Sequence, residues 1–239
     1  MTKLKIITTS WDDGHVLDIK LSRLLKKYKI RGTFYVSPKH NELKENLLSK
    51  EQIVNLSDDF EIGAHTIKHD ILTQLDETGV YKSLVESKQY TESLIKKEIK
   101  VFCYPRGEYN EKIKFIVKKT GFLGARTVKS FITDYPKDFF AFGTTIHVYP
   151  SKNIISNINE CVRNNIKFIP FMFSTDWKKI AEDTFNHVNK FGGIWHLWGH
   201  SWEIEKFKLW DELEQLLRYV SGEESFEYLS NSEVLEKHR

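Results

Sequence analysis

The stretch TTSWDDGHVLD, residues 8–18, puts two adjacent carboxylates, Asp12 and Asp13, and an imidazole, His15, directly behind a short β-branched run. At the carboxyl end of a strand such groups stand where α/β folds gather ligands and catalytic side chains. The same residues also suit a surface turn in which Asp caps a helix. A second cluster, HTIKH at 65–69, holds His65 and His69 four apart. On one side of a helical turn two such imidazoles reach a single ion, as in the metalloprotease motif H-E-x-x-H. Thr66 stands where that motif has glutamate, so the residue that would do protease chemistry is missing. With nine histidines in 239 residues, a pair at this spacing also arises by chance. Both clusters follow predicted strands, at the carboxyl edge where α/β folds gather ligands.

The elements that must position these groups alternate along the chain. Strand-like KIITTSW precedes amphipathic LDIKLSRLLKKYK, and GTFYVSP precedes SKEQIVNLSDD, a helix opened by the cap Ser49. EIGAHT is followed by a long helix within DETGVYKSLVESKQYTESLIKKEI, and VFCYPRG by NEKIKFIVKKTG, with Asn110 and Gly121 at its ends. GARTV reads as a fifth strand. FGTTIHVYP, KFIPFMF and GGIWHLWGH are further strand candidates, and LWDELEQLLRYVS is an amphipathic helix. Such alternation predicts parallel strands joined by right-handed crossovers. Without linker, internal repeat or low-complexity stretch, 239 residues are expected to form a single domain.

Composition excludes several classes. The 36 basic and 33 acidic residues are well mixed, for a net charge of +3, which is no footprint for nucleic acid. Hydrophobic content of 40% and charged content of 29% are those of an ordered globular protein. Cys103 and Cys161 lie far apart and outside any C-x-x-C pair, so no disulfide framework is indicated. No run approaches the roughly 20 apolar residues of a membrane span. MTKLKII, ahead of the first strand, is too short for a signal peptide, and a cytoplasmic protein without a membrane partner is expected.

TSWDDG, GTFYV, GAHTIKHDIL, YPRGEYN, GARTV and GHSWEI, in this order, resemble the polysaccharide deacetylases, the carbohydrate esterase family four proteins related to nodulation chitooligosaccharide deacetylase. The resemblance covers nearly the whole chain. It implies a distorted (β/α)7 barrel over residues 1–239 and a divalent metal ion, Zn2+ ahead of Co2+, Ni2+ or Fe2+. By position, Asp13, His65 and His69 are the implied metal ligands and Asp12 the general base. Three protein ligands would leave open positions for water and an acyl oxygen. The implied oxyanion donor is the backbone N–H of Arg106. His200 is the implied general acid, because HSWE resembles the HPWE that closes the corresponding strand in many members. His196, four residues earlier inside the apolar run, is expected to be a core residue. Trp177, 23 residues before His200, is the implied aromatic wall of a sugar groove, with Tyr104 and Arg126 as substrate contacts. Asp176 matches poorly as a partner for the catalytic histidine, and His15 is expected to be a turn residue at a helix start. The implied reaction is hydrolytic removal of acetyl groups from N-acetylated sugars in an oligosaccharide, polysaccharide or glycan precursor.

One departure matters. The family loop often reads R-P-P-Y-G, its leading arginine paired with the catalytic aspartate, whereas CYPRG has Cys103 in that place. Asp12 then lacks its usual partner unless Arg106 or Arg126 supplies the compensating positive charge. The substitution also leaves open a metal-containing module that holds glycan without hydrolysing it. Retention of Asp12 alongside Asp13, His65 and His69 favours the enzyme, since a module has no need of a base. A related amidase acting on small amides would keep the same barrel.

Overall fold

The computed structural model describes residues 4–150, 154–163 and 174–237. The run KIITTSWDD forms strand β1 (Lys5–Asp13), buried from its second residue onward. A strand covered on both faces shows no apolar–polar alternation, which is why this run reads as continuously apolar or hydroxyl-bearing. Around it lie β2 (Thr33–Val36), β3 (Glu61–Ala64), β4 (Val101–Cys103), β5 (Gly124–Arg126), β6 (Ile146–His147) and β7 (Gly193–Gly199). Their order is β5-β4-β3-β2-β1-β7-β6, and every pairing is parallel. A short strand, β8 (Glu227–Tyr228), pairs with Ile6 and Ile7, on the stretch of β1 that β2 does not reach. The register runs Asp13 to Val36, Val36 to Ala64 and Ala64 to Phe102, so the carboxyl ends of four strands come level at one edge. This curled parallel sheet with intervening helices is the expected distorted (β/α)7 barrel.

The helices are α1 (Asp18–Lys27), α2 (Lys50–Asp59), α3 (Glu77–Ile95), α4 (Glu111–Lys119), α5 (Ile154–Arg163), α6 (Trp177–Phe191), α7 (Ser201–Lys206), α8 (Trp210–Val220) and α9 (Asn231–Lys237). Ser49 opens α2 with a capping box: its Oγ accepts the Gln52 N–H at 3.1 Å, and Gln52 Oε1 accepts the Ser49 N–H at 2.8 Å. Asn110 caps α4 from Ile113 N–H at 3.0 Å. On α8, Leu213, Leu216, Leu217 and Val220 form the buried stripe of an amphipathic helix. The long third helix ends at Ile95, where Lys96 turns left-handed at φ 58°. The strand candidate KFIPFMF lies outside the described residues. Among the described residues no helix is long and apolar enough to cross a membrane.

His196 sits within β7, fully buried, its Nε2 2.8 Å from Ser10 Oγ on β1 and its ring 5.0 Å from that of Phe142. Burial pulls its pKa down to about 3, so it is a neutral part of the core. His196→Ala is expected to lower stability by about 2–4 kcal/mol, from a lost buried hydrogen bond and the cavity left behind. Urea unfolding measures this, and a change below about 0.5 kcal/mol would place His196 outside the load of the core.

Candidate active site

Strand β1 ends in Asp12, Asp13 and Gly14. Asp13 has φ 81° and Gly14 φ 73°, so the chain turns through two left-handed residues at the sheet edge. Gly14 cannot be replaced freely, because a Cβ there would add strain and stand 3.3 Å from Val36. A left-handed non-glycine residue is uncommon and costs free energy, so the surrounding structure must hold Asp13 in place.

His65 and His69 do not lie on a helical turn. They follow β3 in a loop where Thr66 and His69 are left-handed, at φ 59° and 62°. Thr66 Oγ1 accepts the Asp70 N–H at 2.8 Å and closes that loop. The rings meet at 4.9 Å because the loop folds back, and the four-residue spacing has no helical meaning here. His65 Nδ1 donates its hydrogen to the Cys103 carbonyl at 2.8 Å, which leaves Nε2 with a free lone pair.

Asp13 Oδ1 lies 3.6 Å from His65 Nε2 and 3.7 Å from His69 Nε2. It is buried and accepts no hydrogen bond among the described residues. Those separations are too long for hydrogen bonds. They suit ligand atoms about 2.1 Å from one ion, which at tetrahedral angles lie roughly 3.4 Å apart. The other carboxylate oxygen, Oδ2, accepts the Trp202 indole N–H at 2.9 Å. Asp13, His65 and His69 thus form a group able to hold a metal ion. Burial works against ionisation of Asp13, but the imidazoles around it, His200 foremost, outweigh burial and hold the carboxyl far below its usual range. Burial pulls His69 down to about 3. Both residues are therefore in the protonation states a cation requires.

A fourth imidazole, His40, was not signalled by any motif; its Nε2 stands 3.5 Å from Asp13 Oδ1 and its ring stacks on His69 at 4.3 Å.

Asp12 finds its positive partner in Arg126, one strand beyond the place where the family loop carries its arginine. Cys103 and Arg126 are paired in register across β4 and β5, so the guanidinium reaches Asp12 Oδ2 from the neighbouring strand. The Cys103 thiol lies 3.6 Å from the same oxygen. Burial would raise the Asp12 pKa, but Arg126 overrides it and keeps the carboxyl ionised. Asp12 Oδ1 has no hydrogen-bond partner among the described residues, and Asp12 lines the cavity. Arg126 is 1% exposed and is not among the cavity-lining residues, so the expectation that it contacts substrate is corrected. Arg106 instead pairs with Glu42 at the surface, at 2.6 Å.

His200 caps the end of β7 and lies with Nε2 3.8 Å from Asp13 Oδ2. Its Nδ1 donates to Glu203 Oε2 at 2.6 Å, and His147 Nε2 reaches the same oxygen at 3.0 Å. Ser201 Oγ donates to buried Asp18 at 2.6 Å and ties the start of α7 to the start of α1. Glu203 is the partner that Asp176 does not supply; Asp176 caps α6 through the Lys178 and Lys179 N–H groups. The i,i+3 spacing within HSWE was the available signal for Glu203. Burial opposes the charged form of His200, yet Asp13 and Glu203 together raise its pKa to about 9. Glu203→Gln removes one of those charges, so the His200 pKa falls and its proton is lost at lower pH. The alkaline limb of kcat/KM is expected to move down by about one pH unit. A pH profile measured with the limb unmoved would assign the acid elsewhere.

These groups face a cavity of about 790 Å3. Tyr104 and Arg106 line it, as expected, and Trp198 and Trp202 form its aromatic side. Tyr104 also donates through its hydroxyl to the Phe140 carbonyl at 3.0 Å. Arg106 is left-handed at φ 56°, and Gly107 after it at φ 71°, where a Cβ would strike Val128 at 2.3 Å. Trp177 is not at the cavity. It is 4% exposed at the start of α6, with its indole N–H on Glu212 at 2.6 Å, so the expected groove wall is corrected to a core residue. His15 accepts the Leu17 N–H at 3.1 Å at the entry to α1, the turn position expected of it.

Fold and site together define a (β/α)-barrel protein with a carboxylate and imidazole centre at the carboxyl edge of its sheet. The polysaccharide deacetylase family model matches residues 1–125, and the chain belongs to that family. The Bacillus subtilis (strain 168) protein YxkH, classed as a polysaccharide deacetylase, is 25% identical over 119 residues. That match covers 49% of this chain and 43% of YxkH, so the chain spans less than half of the relative's length. A Mycobacterium smegmatis structure assigned to the polysaccharide deacetylases is 14% identical, with a TM-score of 0.66 over 99% of this chain and 91% of its own. The chitin deacetylase of the fungus Colletotrichum lindemuthianum is 15% identical, with a TM-score of 0.63 over 98% and 88%. At these identities the structural likeness is one of fold.

Proposed function

We propose that residues 1–239 act as one catalytic domain that hydrolyses the acetamide of N-acetylated sugars in an oligosaccharide, polysaccharide or glycan precursor. The observation that carries this reading is the buried, unbonded Asp13 Oδ1 ringed by imidazole nitrogens, beside an Asp12 that Arg126 keeps ionised. The orphaned oxygen and the donor set fit a divalent cation. Asp13, His65 and His69 would hold it, with zinc preferred for its oxygen and imidazole ligands and cobalt, nickel or iron as substitutes. Such an ion supplies Lewis acidity to water and to the acyl carbonyl.

This chain's residues do the rest. Asp12 Oδ1 takes a proton from the attacking water. The Arg106 N–H donates to the oxyanion that develops on the acyl oxygen. His200, held by Glu203, gives a proton to the leaving nitrogen as the C–N bond breaks, which yields acetate and a free amine. Trp202, partly buried at the cavity wall, offers a ring to a sugar, while Trp198 is already stacked on His147 and Tyr104 on Tyr109. The non-hydrolytic module loses its main support, because Asp12 has regained the partner that Cys103 cost it. Two buried cysteines that form no disulfide suit a reducing compartment, and a cytoplasmic setting goes with the proposal.

Acetate release from acetylated oligosaccharides tests the reading. Metal-stripped protein is expected to be inactive and to recover with zinc, cobalt, nickel or iron. Glycan binding without acetate release under every metal would make the protein a module, and turnover confined to small amides would make it an amidase.

A further inference from the structure

We propose that His40 is a further catalytic residue of this site, donating a hydrogen bond from Nε2–H to the oxygen that an acyl substrate or an acetate product places beside Asp13. The inference rests on the deacetylase reading and deepens it.

His40 lies in the loop after β2, its side chain 3% exposed, and it lines the cavity. Its Nδ1 accepts the backbone N–H groups of Glu42 and Leu43, at 3.1 and 3.3 Å. A ring nitrogen that receives two N–H groups carries no hydrogen, so the hydrogen of His40 is on Nε2. His65 is arranged the other way: its Nδ1–H is spent on the Cys103 carbonyl and its Nε2 is bare. Two imidazoles at nearly the same distance from Asp13 Oδ1, 3.5 and 3.6 Å, are thus set for different work. His65 presents a lone pair to an ion. His40 presents a hydrogen.

That hydrogen stands too far from Asp13 for a close hydrogen bond, with Nε2 3.5 Å from an Oδ1 that accepts none among the described residues. The ring is nevertheless held. It stacks on His69 with an angle of 19°, and the backbone N–H of His40 donates to the Ser37 carbonyl at 3.1 Å, which fixes the loop that carries the ring. A fixed donor at the cavity wall, next to a carboxylate oxygen suited to hold a cation, is placed for the other oxygen ligand of that centre. As water adds to the acyl carbon, negative charge grows on the acyl oxygen, and a hydrogen bond to it strengthens. After the C–N bond breaks and its nitrogen takes the proton, the acetate carboxylate keeps a negative charge for the same donor. His40 gains and loses no proton in this sequence.

The test uses His40→Phe, which keeps a stacking ring without a donor, and His40→Gln, whose amide N–H can replace Nε2–H. In zinc-loaded wild type, long-range 1H–15N correlation is expected to show the His40 hydrogen on Nε2, with the signal identified by its loss in either variant. Zinc affinity, measured by competition with a chelator, should be the same within about threefold in all three proteins. Acetate binding to the zinc-loaded protein and kcat/KM for an N-acetylated oligosaccharide should fall about 10- to 100-fold in His40→Phe and recover most of that loss in His40→Gln. A hydrogen on Nδ1, or a tenfold loss of zinc affinity in His40→Phe, would make His40 a metal ligand and overturn the proposal. Unchanged acetate affinity in His40→Phe would overturn it as well. If wild type releases no acetate from any substrate, the deacetylase reading fails, while the NMR and acetate-binding arms still decide whether His40 is a donor.

Discussion

Replacing Asp12 by Asn should cut kcat for an N-acetylated sugar by at least about 10²-fold while the protein keeps its metal. The carboxylate is the group left to accept the water proton, with Oδ1 unbonded and Oδ2 taken by Arg126. The variant also leaves a fully buried guanidinium without its counter-charge, which destabilises by about 3–5 kcal/mol when one partner of a buried pair is removed. Loss of folding could then imitate loss of catalysis. The double variant Asp12→Asn with Arg126→Met separates them, because exchanging a buried ion pair for uncharged groups is close to neutral. It should regain most of the melting temperature and none of the turnover. Metal content measured on the same samples completes the comparison: a parallel fall in metal and activity would make Asp12 a ligand.

His200→Ala should cost an acetamide substrate about 10²-fold or more and an activated acetyl ester only a few-fold. An amide nitrogen leaves poorly without a proton, whereas p-nitrophenolate leaves without help. Glu203 accepts from His200 Nδ1 and favours its protonated form, and it is shared with His147. His196→Ala should lower stability and affect both substrate types alike, since that ring is bonded to Ser10 inside the core. An acetamide-selective defect at His196 in place of His200 would reverse the assignment.

Much of the site could be read from short windows. The β-branched run before Asp12, the Asp-Asp-Gly turn, the cap at Ser49 and the stripe on α8 are all local patterns, each decided by residues within a few positions of one another. The two clusters holding Asp13, His65 and His69 were legible because one ends and the other follows a strand whose own sequence announces it, and the resemblance then singled out the three as ligands. The helical premise for His65 and His69 was wrong although the pair does converge, since a loop with two left-handed residues brings the rings together at the same spacing.

Residue types and their local period were thus enough for an alternating parallel α/β fold and two metal-type clusters, while the barrel and the ligand set Asp13, His65 and His69 were implied by the resemblance to the polysaccharide deacetylases. The partners of those residues were settled only by tertiary structure. Arg126 replaces the expected arginine because β4 and β5 pair with Cys103 opposite Arg126, a register that no window of either strand contains. His40 reaches Asp13 from the loop beyond β2, and Trp202 from the helix after β7, two elements that flank β1 on opposite sides of the sheet order. Trp177, expected in the groove, fell to the core, while Trp198 and Trp202 took the cavity. Strand order and register are set by contacts between segments far apart in the chain, and their free energy comes from burying both faces of a sheet at once. A single stretch of sequence carries only its own half of each such contact, so it shows which side chains are available and leaves their company to the fold.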